Sequence, residues 1–406
     1  MPSTLPDGDP APPDGSLPLS AISTLGEQPF GVYVHVPFCA SRCGYCDFNT
    51  YTARELGGGA SQLSYVDTVI SEVQLAAHVL GPDAPRAETV FFGGGTPTLL
   101  PSEHLAAIVA ELHERIGLAR DAEITTEANP ESVTPRSLDR LRQAGFTRIS
   151  LGMQSAREHV LAVLDRQHTP GRAAAAVAEA RAAGFEHINL DLIYGTPGET
   201  EQDWQASLDA AIEANPDHVS AYALIVEDGT ALARRVARGE IPAPDDDVLA
   251  DRYEQADVTL SQAGYLWYEV SNWSGGRAAR SRHNELYWTG ADWWGIGPGA
   301  HSHVGGVRWW NVTHPSAYAG LVEAGRSPAH AREVLSPRAR RTEQIMLGLR
   351  LRDGLPVSLL SPGGRAAAQE AVGYGLLSRV EHLGGRAVLT LRGRLLADAV
   401  VRSLLD

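Results

Sequence analysis

The sequence predicts an α/β protein: a partial, TIM-like (β/α)6 barrel followed by a smaller C-terminal α+β domain of winged-helix-like pattern. Three observations predict it. From Val32 onward, short β-branched runs alternate six times with Ala/Leu-rich stretches of helical period, the pattern of a parallel sheet with helical crossovers. A polar or glycine residue recurs at the C-terminal end of each run. Beyond residue 246 the composition changes, and seven of the eight tryptophans lie between Trp267 and Trp310.

Residues 1–27 carry six prolines in the first twenty positions and show no hydrophobic period, which predicts a disordered tail. The barrel is expected over 28–245, with strands at 32–38, 89–92, 123–126, 148–151, 187–192 and 218–223. Between them lie helical stretches at 62–80, 103–116, 136–144, 172–183 and 201–214, several closed by glycine as at a C-cap. Pro242, Pro244 and Asp245, Asp246 and Asp247 read as the bounding loop, and 248–263 restarts as a helix. Residues 246–335 then form a linker and an aromatic, histidine-rich region with His283, His301, His303 and His314. From 336 to 406 helices, a β-hairpin around Gly384-Gly385 and a last helix ending near Leu405 make up the C-terminal domain.

In a parallel barrel the C-terminal strand ends converge on one mouth, where ligands bind. Cys39, Gly93-Gly94-Gly95, Glu127, Gln154, Asp191 and Tyr222 would share that mouth. Any one of them alone is more simply a strand-terminating turn residue; six in succession are not.

At 406 residues, 43% hydrophobic and 20% charged, the chain has the composition of an ordinary globular protein. No stretch approaches the roughly 18 apolar residues of a membrane span. Acidic residues outnumber basic ones by 49 to 34 for a net charge of -15, a field that repels phosphate backbones and argues against nucleic acid as a partner. The first basic residue is Arg42, so the N-terminus lacks the positive region of a secretory signal and a cytoplasmic location is expected. The three cysteines fall within eight residues, a number and spacing that cannot build a disulfide framework but can hold a metal centre in a reducing compartment.

Cys39, Cys43 and Cys46 follow the first expected strand in a loop of small and polar residues. Thiolates select zinc or iron-sulfur clusters. Clusters usually take four protein thiolates, so three leave one iron open to an outside ligand. The alternative is structural zinc, with His35 or His301 completing a closed tetrahedral site. Phe92-Gly93-Gly94-Gly95-Thr96-Pro97-Thr98 ends the second strand, and its glycines admit close backbone approach of a ligand.

The stretch Cys39-Ala40-Ser41-Arg42-Cys43-Gly44-Tyr45-Cys46 resembles the CxxxCxxC signature of radical S-adenosylmethionine (SAM) proteins, and the GGGTPT segment resembles the methionine cradle of the branch that holds the oxygen-independent coproporphyrinogen III oxidases. The resemblance implies a radical SAM barrel and a four-iron four-sulfur (4Fe-4S) cluster on Cys39, Cys43 and Cys46. Its open iron would be chelated by the amino and carboxylate groups of SAM. It further implies cofactor contacts at Tyr33, Tyr45, Gly94, Gly95, Thr96, Glu127, Gln154, Arg166 and Asp191. Read singly, Glu127 could instead cap the turn before Pro130, Arg166 could pair on a helix surface, and Asp191 could cap a helix.

Two departures separate members of this family. The oxidases read CxxxCxxCxC, and Phe48 stands here where the last cysteine would be. Further on, His283-Asn284-Glu285-Leu286-Tyr287-Trp288 resembles the HNxxYW motif of the family's haem chaperones. That resemblance implies haem binding through His283, Asn284, Tyr287 and Trp288, with Trp293 and Trp294 as apolar area for the macrocycle and Arg280 or Arg282 pairing propionates. From composition alone, the tryptophans are the core of the second region and His283 is a satisfied buried histidine. The expected function is a haem chaperone, itself soluble, that passes haem to an acceptor protein, which can be membrane-associated; a homodimer is compatible. The alternative is radical decarboxylation of coproporphyrinogen III propionates to protoporphyrinogen IX, and a third class is radical methyl transfer or ring opening on haem.

Overall fold

The structure, a computed structural model, describes residues 7–56, 62–166 and 168–405. Six parallel strands, β1 (Phe30–Val36), β2 (Ala87–Gly94), β3 (Leu118–Ala128), β4 (Arg148–Gln154), β5 (His187–Tyr194) and β6 (His218–Ala223), pair in sequence order. Between them run α1 (Gln62–Leu80), α2 (Ser102–Arg115), α3 (Pro135–Gln143), α4 (Arg172–Ala182) and α5 (Glu201–Glu213). Local chemistry sets several starts: Thr134 and Thr200 close capping boxes at α3 and α5, and Pro135 occupies the first turn, where its missing N–H costs nothing.

The strands carry apolar residues outward to the helices and polar ones inward. Val32, Val34, Val90, Phe92, Ile149, Leu151, Ile188, Leu190 and Val219 belong to the main core. The alternate positions are Tyr33, His35, Thr89, Glu123, Thr125, Glu127, Arg148, Ser150, Asn189, Asp191, His218 and Ser220. A barrel lined this way is built around polar contents.

The region after the barrel continues the same sheet. Helix α6 (Asp246–Gln262) leads to β7 (Leu266–Glu269) and β8 (Asn272–Ser274), and β8 pairs antiparallel with β6. Helix α7 (Arg282–Thr289) follows, and then β9 (Asp292–Ile296) pairs parallel with β1 at the opposite edge. β10 (His301–Val304), β11 (Val307–Asn311) and β12 (Ala329–Val334) extend that edge, with α8 (Pro315–Glu323) between the last two. Among the described residues one thirteen-stranded sheet results, ending in Asp9–Pro10 against β12.

That last pairing corrects the expectation of a disordered tail for residues 7–27. Ser327 donates its N–H to the Pro13 carbonyl at 2.7 Å, Ala21 is fully buried, and Ala11, Pro12 and Leu17 lie beside Trp294 and Trp309. Prolines hold the segment extended, so little chain entropy is lost when it lies across the indole faces. The first six residues of the expected tail lie outside the described residues.

The final segment packs α9 (Pro337–Gly348), α10 (Pro362–Gly373) and α11 (Ala397–Leu404) around a separate core that includes Ile345, Leu349, Leu360, Val372, Val401 and Leu404. The hairpin expected around Gly384-Gly385 is corrected. Those glycines end a short helix, Arg379–Leu383, and Arg386–Ala387 pairs antiparallel with Leu355–Pro356 instead.

One buried carboxylate fastens the barrel to the extended edge. Glu72 of α1 accepts from the Gly297 N–H at 2.7 Å, Asn311 Nδ2 at 2.7 Å and the Tyr318 hydroxyl at 2.6 Å. Burial raises its pKa from 4.5 to about 7 against those donors. A carboxyl raised on folding contributes stability that is full below the unfolded value and lost as pH rises through the folded one. The wild type should therefore lose roughly 1–3 kcal/mol from this group between pH 5 and pH 8, and Glu72→Gln should flatten that dependence. Urea midpoints of both chains at the two pH values check it; parallel losses would refute it.

Candidate functional site

The chain leaves β1 through Phe38–Cys39, which pairs with Tyr51–Thr52 and so closes residues 39–52 into a loop. Gly44 anchors the loop twice, donating to the Leu164 carbonyl at 3.2 Å and accepting from the Leu232 N–H at 2.8 Å. The three cysteines are half-buried and free of disulfides. Burial, then the neighbouring sulfurs, raises the Cys39 thiol to about 11, and Cys46 is shifted upward, by burial first. Such thiols ionise when a metal supplies the missing positive charge.

The glycine segment lies directly over the first cysteine. A Cβ on Gly95 would stand 2.4 Å from the Phe38 carbonyl oxygen and 3.1 Å from Cys39 Sγ, so only glycine fits. Its backbone is fixed by Gly95 N–H to the Val36 carbonyl at 2.8 Å and Thr96 N–H to the Phe38 carbonyl at 2.7 Å. Glu127, at the end of β3, accepts from the Gly94 N–H at 3.1 Å. Burial, then the charge of Asp191, raises Glu127 to about 7.

On the far side Arg166 donates to Cys43 Sγ at 3.4 Å and to the Gly152 carbonyl at 3.2 Å, and its Nε is buried without a partner among the described residues. Gln154 ends β4 in the left-handed region with φ 65°, a conformation that costs a residue with a side chain about 1 kcal/mol and clusters at functional sites. Its amide and the Arg166 guanidinium both crowd the Cα of Gly152. Asp191 accepts from Ser150 Oγ at 2.7 Å and Asn189 Nδ2 at 2.8 Å. Tyr45 is close enough to Cys43 and Arg166 for their charges to act on it. Glu127, Arg166 and Asp191 thus face the mouth, and the turn before Pro130 is capped by Asn129.

These residues suit a cluster with SAM: soft donors, a glycine cradle, two carboxylates for a cationic ligand and a guanidinium with one N–H to spare. A closed zinc site fits less well. His35 has both ring nitrogens engaged, Nδ1 with the Tyr33 hydroxyl at 3.0 Å and Nε2 with the Asn49 carbonyl at 2.8 Å. His301, the other candidate, stacks on Trp310 at 5.9 Å, and its Nε2 is buried without a hydrogen-bond partner among the described residues.

The HNxxYW segment lies at the opposite end of the barrel. Helix α7 caps the interior near the strand starts, and His283 is 1% exposed. Its Nδ1 meets Thr89 Oγ1 at 2.7 Å, its Nε2 meets the Tyr287 hydroxyl at 2.7 Å, and its backbone N–H donates to Glu123 Oε1 at 3.1 Å. Asn284 and Trp288 hydrogen-bond to buried Glu269. Arg280 pairs with Glu285 and Asp353, and Arg282 with Glu88 and Asp121. Trp294 is in the core. His283, Asn284, Tyr287 and Trp288, the side chains expected to meet haem, are all hydrogen-bonded within the barrel in this structure.

Sequence reasoning missed Asn49, Ser150, Asn189 and His218, and read His35 only as a possible zinc ligand. The signal was the period of two, His218-x-Ser220 and Asn189-x-Asp191 on adjacent strands. His218 Nδ1 meets Asn189 Oδ1 at 2.5 Å and its Nε2 meets the Tyr268 hydroxyl at 2.7 Å, so a hydrogen-bonded chain runs from Asp191 down the barrel.

Comparison with known proteins agrees with this architecture. The Radical SAM superfamily profile matches residues 33–211. A protein of Mycobacterium tuberculosis (strain H37Rv) named Heme chaperone HemW is 55% identical over 95% of this chain and 97% of its own length. The Heme chaperone HemW of Synechocystis sp. is 34% identical over 81% of this chain and 79% of its own. The solved structure of coproporphyrinogen III oxidase (HemN) from Escherichia coli, described as a radical SAM enzyme, superposes with a TM-score of 0.81 at 24% identity, covering 96% of this chain and 92% of that one; it shows the fold. On the cysteine motif, the barrel and these relatives together, the chain belongs to the HemW family of the radical SAM superfamily.

Proposed function

We propose that the chain is a haem chaperone: it binds haem, carries a 4Fe-4S cluster with SAM, and hands haem to an acceptor protein. The observation that carries this is the 55% identity to a protein named Heme chaperone HemW, sustained over 95% of the chain. Phe48, 45% exposed where the oxidases have a further cysteine, supports the same reading. Cys39, Cys43 and Cys46 would hold the cluster, whose open iron would accept the amino and carboxylate groups of SAM and supply reducing chemistry there. Around SAM, Gly94, Gly95 and Thr96 would line its methionine end, Glu127 and Asp191 would balance its positive charge, and Gln154, Arg166, Tyr33 and Tyr45 would close the pocket. The working division is a barrel over 28–245, the aromatic region over 246–335 and a C-terminal domain over 336–406. Among the described residues no helix is long and apolar enough to cross a membrane, and we place the chain in the cytoplasm.

Haem titration of the anaerobically reconstituted chain tests the reading. The expected result is a Soret band that saturates with a dissociation constant of about 10 μM or tighter. Non-saturating absorbance equal to that of free haem would overturn it.

A further inference from the structure

We infer that the His283 helix is a positioning element for the cofactor loops: a column of rings ties His283 and Tyr287, at one end of the barrel, to the cysteine loop and the glycine segment at the other. The inference rests on the cluster-and-SAM reading above.

The column can be followed ring by ring. Thr89 and the Tyr287 hydroxyl clamp the two nitrogens of His283, each at 2.7 Å. The imidazole stacks on Phe91, with centroids 5.1 Å apart and planes 20° from parallel. Phe91 stacks in turn on Tyr33, at 6.2 Å and 21°. The next link has a fixed polarity. The Asn49 carbonyl can only accept, so His35 carries its proton on Nε2 and donates there, and its Nδ1 accepts from the Tyr33 hydroxyl. The His35 carbonyl accepts from Tyr65, which fixes the backbone beneath it.

The His35 ring therefore meets the backbone of both proposed cofactor segments. Asn49 lies three residues past Cys46 in the cysteine loop. Gly94 sits against the imidazole, where a Cβ would stand 2.6 Å from the ring, and its N–H is the one held by Glu127. Loss of the His283 ring leaves Phe91 without its lower neighbour, Tyr33 free to tilt, and the His35 bond to Asn49 and its contact with Gly94 slack. Displacements of about 1 Å suffice to change ligand affinity or reactivity by tenfold or more. On this account the HNxxYW side chains work on SAM binding rather than as haem ligands.

The test compares wild type, His283→Ala, Tyr287→Phe and a control, Leu349→Ala, which opens a cavity in the separate C-terminal core. Each is reconstituted and matched for iron content. SAM affinity is measured by equilibrium dialysis, and the reduced cluster is examined by electron paramagnetic resonance with and without SAM. His283→Ala should bind SAM about tenfold more weakly and lose the SAM-induced spectral change, Tyr287→Phe should lose about threefold, and the control should match wild type. Haem titration of His283→Ala should keep the wild-type Soret band. Wild-type SAM affinity and spectrum in His283→Ala, or in Tyr287→Phe if the alanine variant fails to fold, would overturn the inference. So would a lost Soret band with SAM binding intact, which restores His283 as a haem ligand. A wild type that binds no SAM would overturn the cluster reading itself.

Discussion

A Cys43→Ala chain, reconstituted anaerobically with iron and sulfide, should retain less than about a tenth of the wild-type iron and bind no measurable SAM, because two thiolates cannot hold a 4Fe-4S cluster against solvent. Cys43 is chosen for its place. It is the middle of the three proposed ligands, half-buried, and the sulfur on which Arg166 rests at 3.4 Å. The apolar core does not include it, so the metal-free variant should unfold within about 0.5 kcal/mol of wild type. Iron and acid-labile sulfide assays with a visible spectrum check the first expectation, and urea denaturation of the metal-free chains checks the second. Wild-type iron content in the variant would remove Cys43 from the ligand set, and stoichiometric zinc in place of iron would revive the closed tetrahedral site.

The second large effect is on stability and comes from Arg148. Its side chain is 2% exposed and faces Glu123, 5% exposed, through Nε at 3.0 Å. Its Nη2 reaches the carbonyls of Ala279 and Arg280, each at 2.8 Å. Glu123 also receives the backbone N–H of His283. Arg148 thus joins two barrel strands to the segment that leads into α7. Arg148→Ala leaves a carboxylate buried inside the barrel with no cation, a change that costs about 3–5 kcal/mol. Arg115→Ala, which breaks the solvent-exposed pair with Glu111, should cost less than about 1 kcal/mol. Replacing both Arg148 and Glu123 with methionine should recover much of the loss, since the unpaired charge is what costs most. Chemical denaturation of the three variants decides it, and an Arg148→Ala loss no larger than that of the Arg115 control would contradict this account.

The barrel was legible because its outward strand faces and helix stripes repeat with periods of two and 3.6, and because the proposed cofactor residues Cys39, Gly94, Glu127, Gln154 and Asp191 stand at strand ends, where they can be read off one by one. Glu127, Arg166 and Asp191 each had a plausible local role in sequence, and only their convergence on Gly94, Cys43 and the Ser150–Asn189 pair selects the cofactor mouth. The rest depends on contacts between residues remote in sequence. The proline-rich segment from residue 7 is ordered by a strand and two tryptophans some three hundred residues away. His283 meets Thr89, Phe91 and Glu123 inside the barrel, contacts that span some two hundred residues of sequence. The glycines at 384 and 385 resemble a hairpin turn because the strand they precede finds its partner thirty residues upstream, which no local pattern records.

The account holds that a radical SAM scaffold serves here as a haem carrier. Incubation of the reconstituted chain with coproporphyrinogen III, SAM and reductant, followed by mass spectrometry of the porphyrins, tests that claim most directly. It predicts unchanged coproporphyrinogen beside a chain that retains its cluster and binds SAM; release of CO2 with formation of protoporphyrinogen IX would contradict it.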